Sequence, residues 1–398
     1  QAPDGDLLRW EAEGAAGWGP DGTAPYFRRV WERVGVTTGA AENPLNQAVL
    51  AAAEQAGIPQ VTFHPDGRFG PGAGLFQLNV KDGVRQSASV AYLHPLDRLP
   101  PNLHLLTETP AYRIELERGR AVGVWTSRGF LRAEREVILC CGAFDSPKLL
   151  MLSGIGPAEH LEEVGVPVQV DLPGVGAHLL DHPEGVVVWE ASRPVPGPTV
   201  QGWEVGIFVR TGIDPDPLPD LMLHFGLMPF TWNTLPLGHP TAEEGFSLTP
   251  NVCRARSQGT VRLRSDHPGA APRIDFRYFT DPEGYDEAVL VTGVEVAREI
   301  AAQPALQAWA ARELAPGADV QGRAAISHYA RRTANTVYHP AGTCKMGAPD
   351  DPMAVVDPAL RVRGVEGLRV ADASVFPSMT TVNPAITVMM IGEKCAAL

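Results

Sequence analysis

The end of the chain decides the fold: NTVYHPAGTCKMG (335–347) is followed by LRVADASVFPSMTTVNPAITVMMIGEKCA (368–396). The first part is a polar loop that carries His339. The second part contains a short apolar strand at 368–370 that leads to Asp372, and then a loop that carries Asn383 in front of an apolar helical run. Open α/β sheets bind cofactors at such strand ends. A neutral imidazole beside an amide can accept a proton there, so the pattern predicts a catalytic pair.

A second strand end lies near the middle of the chain, in REVILCCGAFDSPKLLMLSGIG (135–156). We predict a buried strand over 137–141, a turn that contains Gly142, and a helix that begins at Ser146 with Pro147 in its first position. A strand, a turn of small residues and a helix N-terminus form a βα unit suited to a phosphate or a flavin edge. Packing alone could also account for such a unit.

The chain between these two stretches has a different pattern. Runs such as VVVWEA, WEVGIFVR, LMLHFGLMPF and GTVRLRS, between residues 186 and 265, predict an antiparallel sheet. Three amphipathic helices are predicted over 281–300, 304–314 and 324–333, and a strand meander over 103–132. The composition shifts near residues 180 and 335. We therefore predict an α/β fold of mixed α+β character, with a sheet-and-helix unit inserted into an α/β domain.

Composition limits the classes of function. The 398 residues carry a formal charge of −13, which gives no basic footprint for nucleic acid. Five cysteines do not make a disulfide framework, so we expect reduced thiols in a cytoplasmic protein. No run of eighteen apolar residues occurs, so no membrane span is expected.

With these motifs in hand, a family resemblance emerges. GAFDSPKLLMLSGIGP (142–157) and the closing pair of stretches resemble the two later signatures of the glucose–methanol–choline oxidoreductases. The chain most resembles the choline-oxidising members, through DHPEGVVVWEA (181–191), WEVGIFVR (203–210) and PDLMLHFGLMPF (219–230). The resemblance implies a Rossmann-like FAD-binding domain over 1–31, 75–180 and 335–398. It also implies a substrate-binding domain over 32–74 and 181–334, built on an antiparallel sheet flanked by helices.

One family element has no counterpart in the sequence. The family begins with a GxGxxG βαβ unit that holds the ADP half of FAD on a helix N-terminus. This chain begins at Gln1 and contains no such fingerprint. We expect on the order of a hundred N-terminal residues, including that unit, to be absent. An inactive fragment, or one that needs a separate N-terminal segment, is therefore one alternative, and covalent attachment of the flavin stays open.

The resemblance implies roles for three polar residues. His339 matches the catalytic histidine, Asn383 its partner, and His224 a hydrogen-bond donor to the substrate oxygen. From the residues alone, His339 could instead be a polar loop residue, Asn383 a helix N-cap, and His224 a satisfied sheet histidine. Either His339 or His224 could serve as the base for the hydroxyl proton.

Five further residues match the substrate pocket. Glu184 would face a trimethylammonium head, with Trp203, Phe230, Val337 and Tyr338 beside it. A quaternary ammonium donates no hydrogen bonds, so a carboxylate and aromatic faces recognise it. Without the resemblance, Glu184 would be an exposed loop carboxylate, and each ring would more often belong to a core.

The resemblance also implies contacts with FAD. The cofactor-binding positions that we expect are Ala111, Ala143, Asp372, Ala373, Asn383 and Ala385. In contrast, the spacing of His178, Asp181 and His182 fits no helical ligand pair, so no metal site is predicted.

The function that follows is FAD-dependent oxidation of an alcohol. The expected substrate is choline, converted to betaine aldehyde and on to glycine betaine, with hydride transfer to the flavin and O₂ as the electron acceptor. The alternative is a dehydrogenase of another primary alcohol that uses a quinone or protein acceptor. A homodimer is the expected assembly.

Overall fold

A computed structural model describes residues 1–39, 41–63 and 67–398. The helices are α1 (Asp4–Ala12), α2 (Pro20–Arg33), α3 (Pro44–Gln55), α4 (Ala88–Tyr92), α5 (Gly142–Leu152), α6 (Ala158–Glu163), α7 (Tyr285–Ala301), α8 (Pro304–Gln307), α9 (Arg323–Thr333) and α10 (Ala385–Cys395), with 3₁₀ turns η1 (Leu235–Leu237) and η2 (Ala373–Val375).

The strands are β1 (Thr37–Thr38), β2 (Gly72–Leu75), β3 (Gln77–Leu78), β4 (Val80–Lys81), β5 (Val84–Arg85), β6 (Ala111–Glu117), β7 (Arg120–Thr126), β8 (Gly129–Arg132), β9 (Val137–Leu139), β10 (Ile155–Gly156), β11 (Val170–Asp171), β12 (Pro183–Glu184), β13 (Val187–Ala191), β14 (Trp203–Val209), β15 (Leu221–Gly226), β16 (Gly245–Val252), β17 (Thr260–Arg262), β18 (Arg273–Asp275), β19 (Ala310–Ala315), β20 (Asn335–Thr336) and β21 (Leu368–Val370).

The predicted antiparallel sheet is confirmed for three of its four runs and is the largest sheet of the described chain, whereas GTVRLRS forms β17, which pairs with β18 in a separate sheet. The strand order of the largest sheet is β19-β13-β16-β15-β14-β2, and β12 joins β16 to β20. Side chains alternate between its faces with the period of two that a strand imposes. Leu223, Phe225 and Phe246 pack into a core with Leu45 of α3 and Val289 of α7. The opposite face carries the polar side chains of the same strands.

A second core lies around the closing stretch of the sequence. The strands β9 and β21 pair in parallel, and α5 follows β9 directly. Trp10 of α1 packs edge-to-face on Phe376, with ring centroids 4.7 Å apart, and its Nε1 donates to the carbonyl of Ser378. The first helix of the chain thereby anchors the loop that leads to Asn383.

The start of α5 differs from the prediction. The helix begins at Gly142 rather than at Ser146, so Pro147 lies inside it. Proline has no N–H for the carbonyl of Ala143, one turn earlier. That carbonyl instead accepts a hydrogen bond from Thr343 Oγ1 at 2.6 Å, so it does not lack a partner. The strand β9 is also shorter than the predicted 137–141.

Two further predictions of secondary structure were wrong. The predicted helix over 304–314 ends at Gln307, and Ala310–Ala315 forms the edge strand β19 against β13. A short apolar run fits the period of a helix as well as that of a strand. Pairing with β13 makes the 310–315 run a strand. Residues 103–107 form no strand, so the meander starts at β6.

Some predictions about the whole chain can also be compared with the structure. All five cysteines are free thiols. Within the described ranges, no helix combines the length and apolar character that a membrane crossing needs. The proposed domain limits stay a prediction, and the range 32–74 includes residues 40 and 64–66, which lie outside the described residues.

Candidate active site

Two segments that are far apart in sequence lie side by side at the site. Leu180 and Ala341 exchange backbone hydrogen bonds at 2.9 Å, and Pro183 and Glu184 of β12 pair antiparallel with β20. This pairing brings the segment that contains Asp181 and His182 alongside the loop that contains His339. The sequence of each segment by itself does not reveal that the two segments pair.

The loop before His339 has a constrained backbone. Tyr338 has φ +67, a left-handed conformation that is unfavourable for a bulky residue. Thr336 Oγ1 accepts from the N–H of Tyr338 at 2.8 Å, and Asp181 Oδ1 accepts from the N–H of His339 at 3.2 Å. These bonds hold the strained turn, which is typical of a functional site. Tyr278 donates to the other oxygen of Asp181.

The three residues predicted to be catalytic lie together. Asn383 Nδ2 is 3.3 Å from His339 Nε2 and 3.4 Å from His224 Nε2. Burial lowers the pKa of His224 to about 4 and the pKa of His339 well below its usual value, so both rings are neutral near pH 7. The arrangement therefore presents neutral imidazoles and an amide, the groups that proton transfer from an alcohol needs.

The alternative role of Asn383 as a helix cap is wrong. The N-cap position of α10 is Pro384, and no side chain caps that helix end. The amide of Asn383 faces the two histidines instead.

Glu184 is buried on the polar face of the large sheet, so it is not an exposed loop carboxylate. The residue is only 4 % exposed, and its strand partner is Asn251 of β16. Asn251 in turn pairs with Met222, and the neighbouring Thr249 pairs with His224. Burial, together with the nearby Asp181 carboxylate, raises the pKa of Glu184 to about 8. No ion pair to Glu184 occurs within the described residues.

Two of the predicted aromatic residues form one cluster with His224. The rings of Trp203 and Phe230 are 5.5 Å apart at 84°, and Trp203 lies 6.3 Å from His224. A Cβ on Gly226 would meet the Trp203 ring at 2.7 Å, so glycine is required for this approach. Phe230 is held by its N–H, which donates to Ser247 Oγ at 2.8 Å.

The other two predicted substrate residues, Val337 and Tyr338, lie on the loop that carries His339. Tyr338 is 70 % exposed there and makes no ring contact with the described residues. Sequence reasoning missed Phe76, whose ring lies 5.5 Å from His224. Its backbone N–H donates to the carbonyl of Glu204, and only this tertiary contact could have identified it.

Asp372 joins the two strand ends. One of its oxygens accepts from Gly142 N–H at 2.9 Å and from Ser146 Oγ at 2.5 Å; the other accepts from the N–H and Oγ of Ser374, at 2.8 and 2.5 Å. A carboxylate has about four lone-pair sites, and all are filled. Asp372 therefore positions the two turns, and its carboxylate is not an open acceptor.

The remaining predicted cofactor positions are on or near these turns. Ala143 is buried in the first turn of α5, and the carbonyl of Ala373 accepts from Gly342 N–H at 3.1 Å. Ala111 and Ala385 are exposed, at the starts of β6 and α10. Contacts of any of these positions with FAD stay a prediction.

The chemistry of the site fits a flavin. The polar edge of the flavin ring is uncharged and alternates hydrogen-bond donors and acceptors. The neutral His339 ring and the Asn383 amide offer the complementary donors and acceptors. Gly142 has φ +81 at the turn between β9 and α5, and a Cβ there would meet no atom within 4 Å, so the turn leaves open space beside the strand end. We expect His339 and Asn383 to hold the ring edge. In the described part of the chain, no group of three or more His, Cys, Asp or Glu side chains could hold a metal ion.

Comparison with known proteins gives a consistent result. Two models of the GMC oxidoreductase family match the chain, at residues 1–184 and 255–392. The chain is 50 % identical to the choline oxidase of Arthrobacter globiformis, over all of this chain and 77 % of the relative. It is 38 % identical to the oxygen-dependent choline dehydrogenase of Rhizobium rhizogenes, over 98 % of this chain and 77 % of the relative.

Solved structures show the same fold. A pyridoxine 4-oxidase from Mesorbium loti aligns with a TM-score of 0.90 at 29 % identity, over all of this chain and 80 % of that one. The formate oxidase of Aspergillus oryzae, at 23 % identity with the same coverage and a TM-score of 0.87, supports the fold alone. The chain belongs to the GMC oxidoreductase family, and it is an FAD-dependent enzyme that oxidises CH–OH groups.

Proposed function

We propose that this enzyme oxidises choline to betaine aldehyde and then to glycine betaine, with O₂ as the final electron acceptor. The observation that carries the proposal is the buried Glu184 carboxyl, which has no cationic partner among the described residues and lies on the same sheet face as His224. A buried carboxylate is unfavourable unless a cation pairs with it. A trimethylammonium group supplies that charge without requiring a hydrogen bond.

The aromatic rings support a quaternary ammonium over a primary one. Trp203 and Phe230 form an edge-to-face pair beside His224. Ring faces attract a cation that is surrounded by methyl groups. Such a cation has no N–H group that would be left without a hydrogen-bond acceptor among the rings. The relatives at 50 % and 38 % identity, a choline oxidase and an oxygen-dependent choline dehydrogenase, agree with this substrate.

The polar residues account for the proton chemistry. The hydroxyl O–H bond breaks, and its proton goes to the neutral His339. His224 donates a hydrogen bond to the substrate oxygen as negative charge develops there, and the Asn383 amide lies within reach of both rings. FAD, when bound, supplies the acceptor for the hydride that leaves the alcohol carbon. The oxidation of the aldehyde would use its hydrate, which has the same CH–OH group.

The experiment compares choline with 3,3-dimethylbutan-1-ol, which has the same shape without the positive charge. We expect peroxide and aldehyde from choline, and a kcat/KM at least tenfold lower for the neutral alcohol. In Glu184→Gln the difference between the two substrates should disappear. Equal turnover of both alcohols by the wild-type enzyme would contradict the cation site.

A second measurement addresses the electron acceptor. Turnover of choline with a quinone but without peroxide formation in air would support the dehydrogenase alternative. Glycine betaine as the final product stays a prediction, which quantifying betaine aldehyde and glycine betaine would test. A cytoplasmic location also stays a prediction.

A further inference from the structure

We propose that two buried side chains, His182 and Asn251, set opposite tautomers on the two histidines of the site, so that His339 presents a lone pair and His224 presents an N–H to the substrate oxygen. The inference rests on the proposed alcohol oxidation and identifies the residues that prepare the site for it. His182 and Asn251 are positioning residues, since neither needs to touch the substrate.

The tautomer of His182 follows from its partners. Its Nε2 lies 2.7 Å from the carbonyl oxygen of Thr380, which can only accept, so Nε2 carries the proton. The ring is fully buried and neutral, because burial lowers its pKa to about 4. A neutral ring has one proton, and Nδ1 of His182 is therefore a hydrogen-bond acceptor.

The tautomer of His339 follows from that of His182. The two Nδ1 atoms lie 2.8 Å apart, so Nδ1 of His339 must carry the proton that His182 accepts. His339 is also neutral, which leaves the lone pair on Nε2. That atom is 3.3 Å from Asn383 Nδ2, an N–H donor, and this contact agrees with the assignment. The base at the site is therefore His339 Nε2.

His224 has the opposite arrangement. Asn251 Nδ2 lies 2.7 Å from the carbonyl of Thr249 and 3.5 Å from the carbonyl of Met222. Carbonyls accept, so this amide atom is the NH₂ group rather than the oxygen. The same atom is 3.1 Å from His224 Nδ1 and donates to it. The proton of His224 is then on Nε2. Asn383 Nδ2, which donates to His339, lies 3.4 Å from this atom, and because both groups are then donors they form no hydrogen bond with each other.

Opposite tautomers match the two tasks of the reaction. An alcohol that loses its proton needs one group that accepts that proton and another that donates to the oxygen. With the reverse tautomer on His339, no lone pair would face the hydroxyl. With the reverse tautomer on His224, a lone pair would face the developing negative charge.

The direct test is ¹⁵N NMR of the FAD-loaded enzyme with ¹⁵N-labelled histidine, without substrate. The signals are assigned with variants at positions 182, 224 and 339. We expect a protonated Nδ1 and a bare Nε2 for His339, and a bare Nδ1 and a protonated Nε2 for His224. Any other pair of tautomers in the wild-type protein overturns the proposal, whether or not choline is a substrate.

Matched variants test the cause. Asn251→Asp replaces the donor with an acceptor of the same size, and we expect the proton of His224 to move to Nδ1 while kcat/KM falls about a hundredfold. His182→Asn keeps an acceptor for His339 and should preserve its tautomer, whereas His182→Leu should release it. Thr23→Val removes a buried hydroxyl in α2 and serves as a control for folding.

The outcomes distinguish the tautomer proposal from the proposed substrate. A loss of activity in Asn251→Asp with an unchanged His224 tautomer would indicate a merely structural role and overturn the tautomer proposal. Correct tautomers in an enzyme that ignores choline would contradict the proposed substrate and leave the tautomer assignment supported.

Discussion

The Nδ1 atoms of His182 and His339 lie 2.8 Å apart, and their ring planes are nearly perpendicular, at 87°. This contact joins the 181–184 segment to the closing loop through two neutral rings. Because no positive charge is added beside His339, its Nε2 remains a base at neutral pH.

Replacement of His339 should remove the base. In His339→Asn we expect kcat/KM for choline to fall by about 10² to 10⁴, the usual contribution of general base catalysis. Steady-state kinetics measures this. The control His328→Asn changes an exposed histidine of α9 and should retain wild-type activity. A fall of less than tenfold in His339→Asn would assign the base elsewhere.

The pH dependence should differ between charged and neutral substrates. The pKa of Glu184 is raised to about 8, so its carboxyl is mostly protonated at pH 6 and mostly ionised at pH 9. Since a cation pairs with the ionised form, kcat/KM for choline should fall about tenfold per pH unit below pH 8. For the neutral alcohol 3,3-dimethylbutan-1-ol, kcat/KM should not fall in this pH range. The lowered pKa of His339 keeps that ring neutral well below pH 6.5. Identical profiles for the two alcohols would argue against Glu184 as the cation partner.

Glu184 should also affect stability. Folding raises the pKa of this carboxyl from the ordinary value of 4.5 to about 8. Between these two pH values the folded state therefore favours the protonated form. The stabilisation is therefore complete below pH 4.5 and is lost as the pH rises to 8, by about 1.4 kcal/mol per pH unit at most. Urea unfolding of wild type and Glu184→Gln at pH 5 and pH 8 measures the difference. We expect the variant to gain relative stability at pH 8, and no change between the two pH values would contradict the burial of this charge.

Asp372→Asn should weaken the junction between the two strand ends. The amide would point its N–H groups at one pair of the four donors that the carboxylate now satisfies. Hydrogen bonds to a charged group contribute about 1.5–3 kcal/mol each, so the free energy of unfolding should fall by at least that amount. The control Asp145→Asn changes an exposed carboxylate in the first turn of α5, next to Ser146, and should change stability by less than about 0.5 kcal/mol. Flavin retention, read from absorbance, should fall only in Asp372→Asn.

Gly226→Ala should move Trp203. The added Cβ would lie 2.7 Å from the ring, so the ring must shift away from its contacts with Phe230 and His224. We expect KM for choline to rise at least tenfold with a smaller change in kcat. Gly392→Ala in α10 has open space for its Cβ and should stabilise the protein by about 1 kcal/mol. An unchanged KM in Gly226→Ala would remove Trp203 from the binding site.

Local sequence patterns predicted much of the fold. The alternation in LMLHFG placed His224 on the opposite face from Leu223 and Phe225, because a strand has a period of two. The apolar helical run predicted after Asn383 follows equally local rules and forms α10. The edge strand β19 could not be predicted from local patterns. Its residues have a helical pattern, and a long-range pairing with β13 makes them a strand.

The sequence by itself determined the family, the antiparallel sheet and the types of polar side chain at the site, because these follow from motifs and short-range periodicity. Only the tertiary structure decided which side chains meet. It buried Glu184 opposite Asn251, filled every acceptor site of Asp372, and placed His182 against His339. Apart from the contact of Asp372 with Ser374, these relationships join residues that are tens to hundreds of positions apart, and no local pattern encodes their geometry.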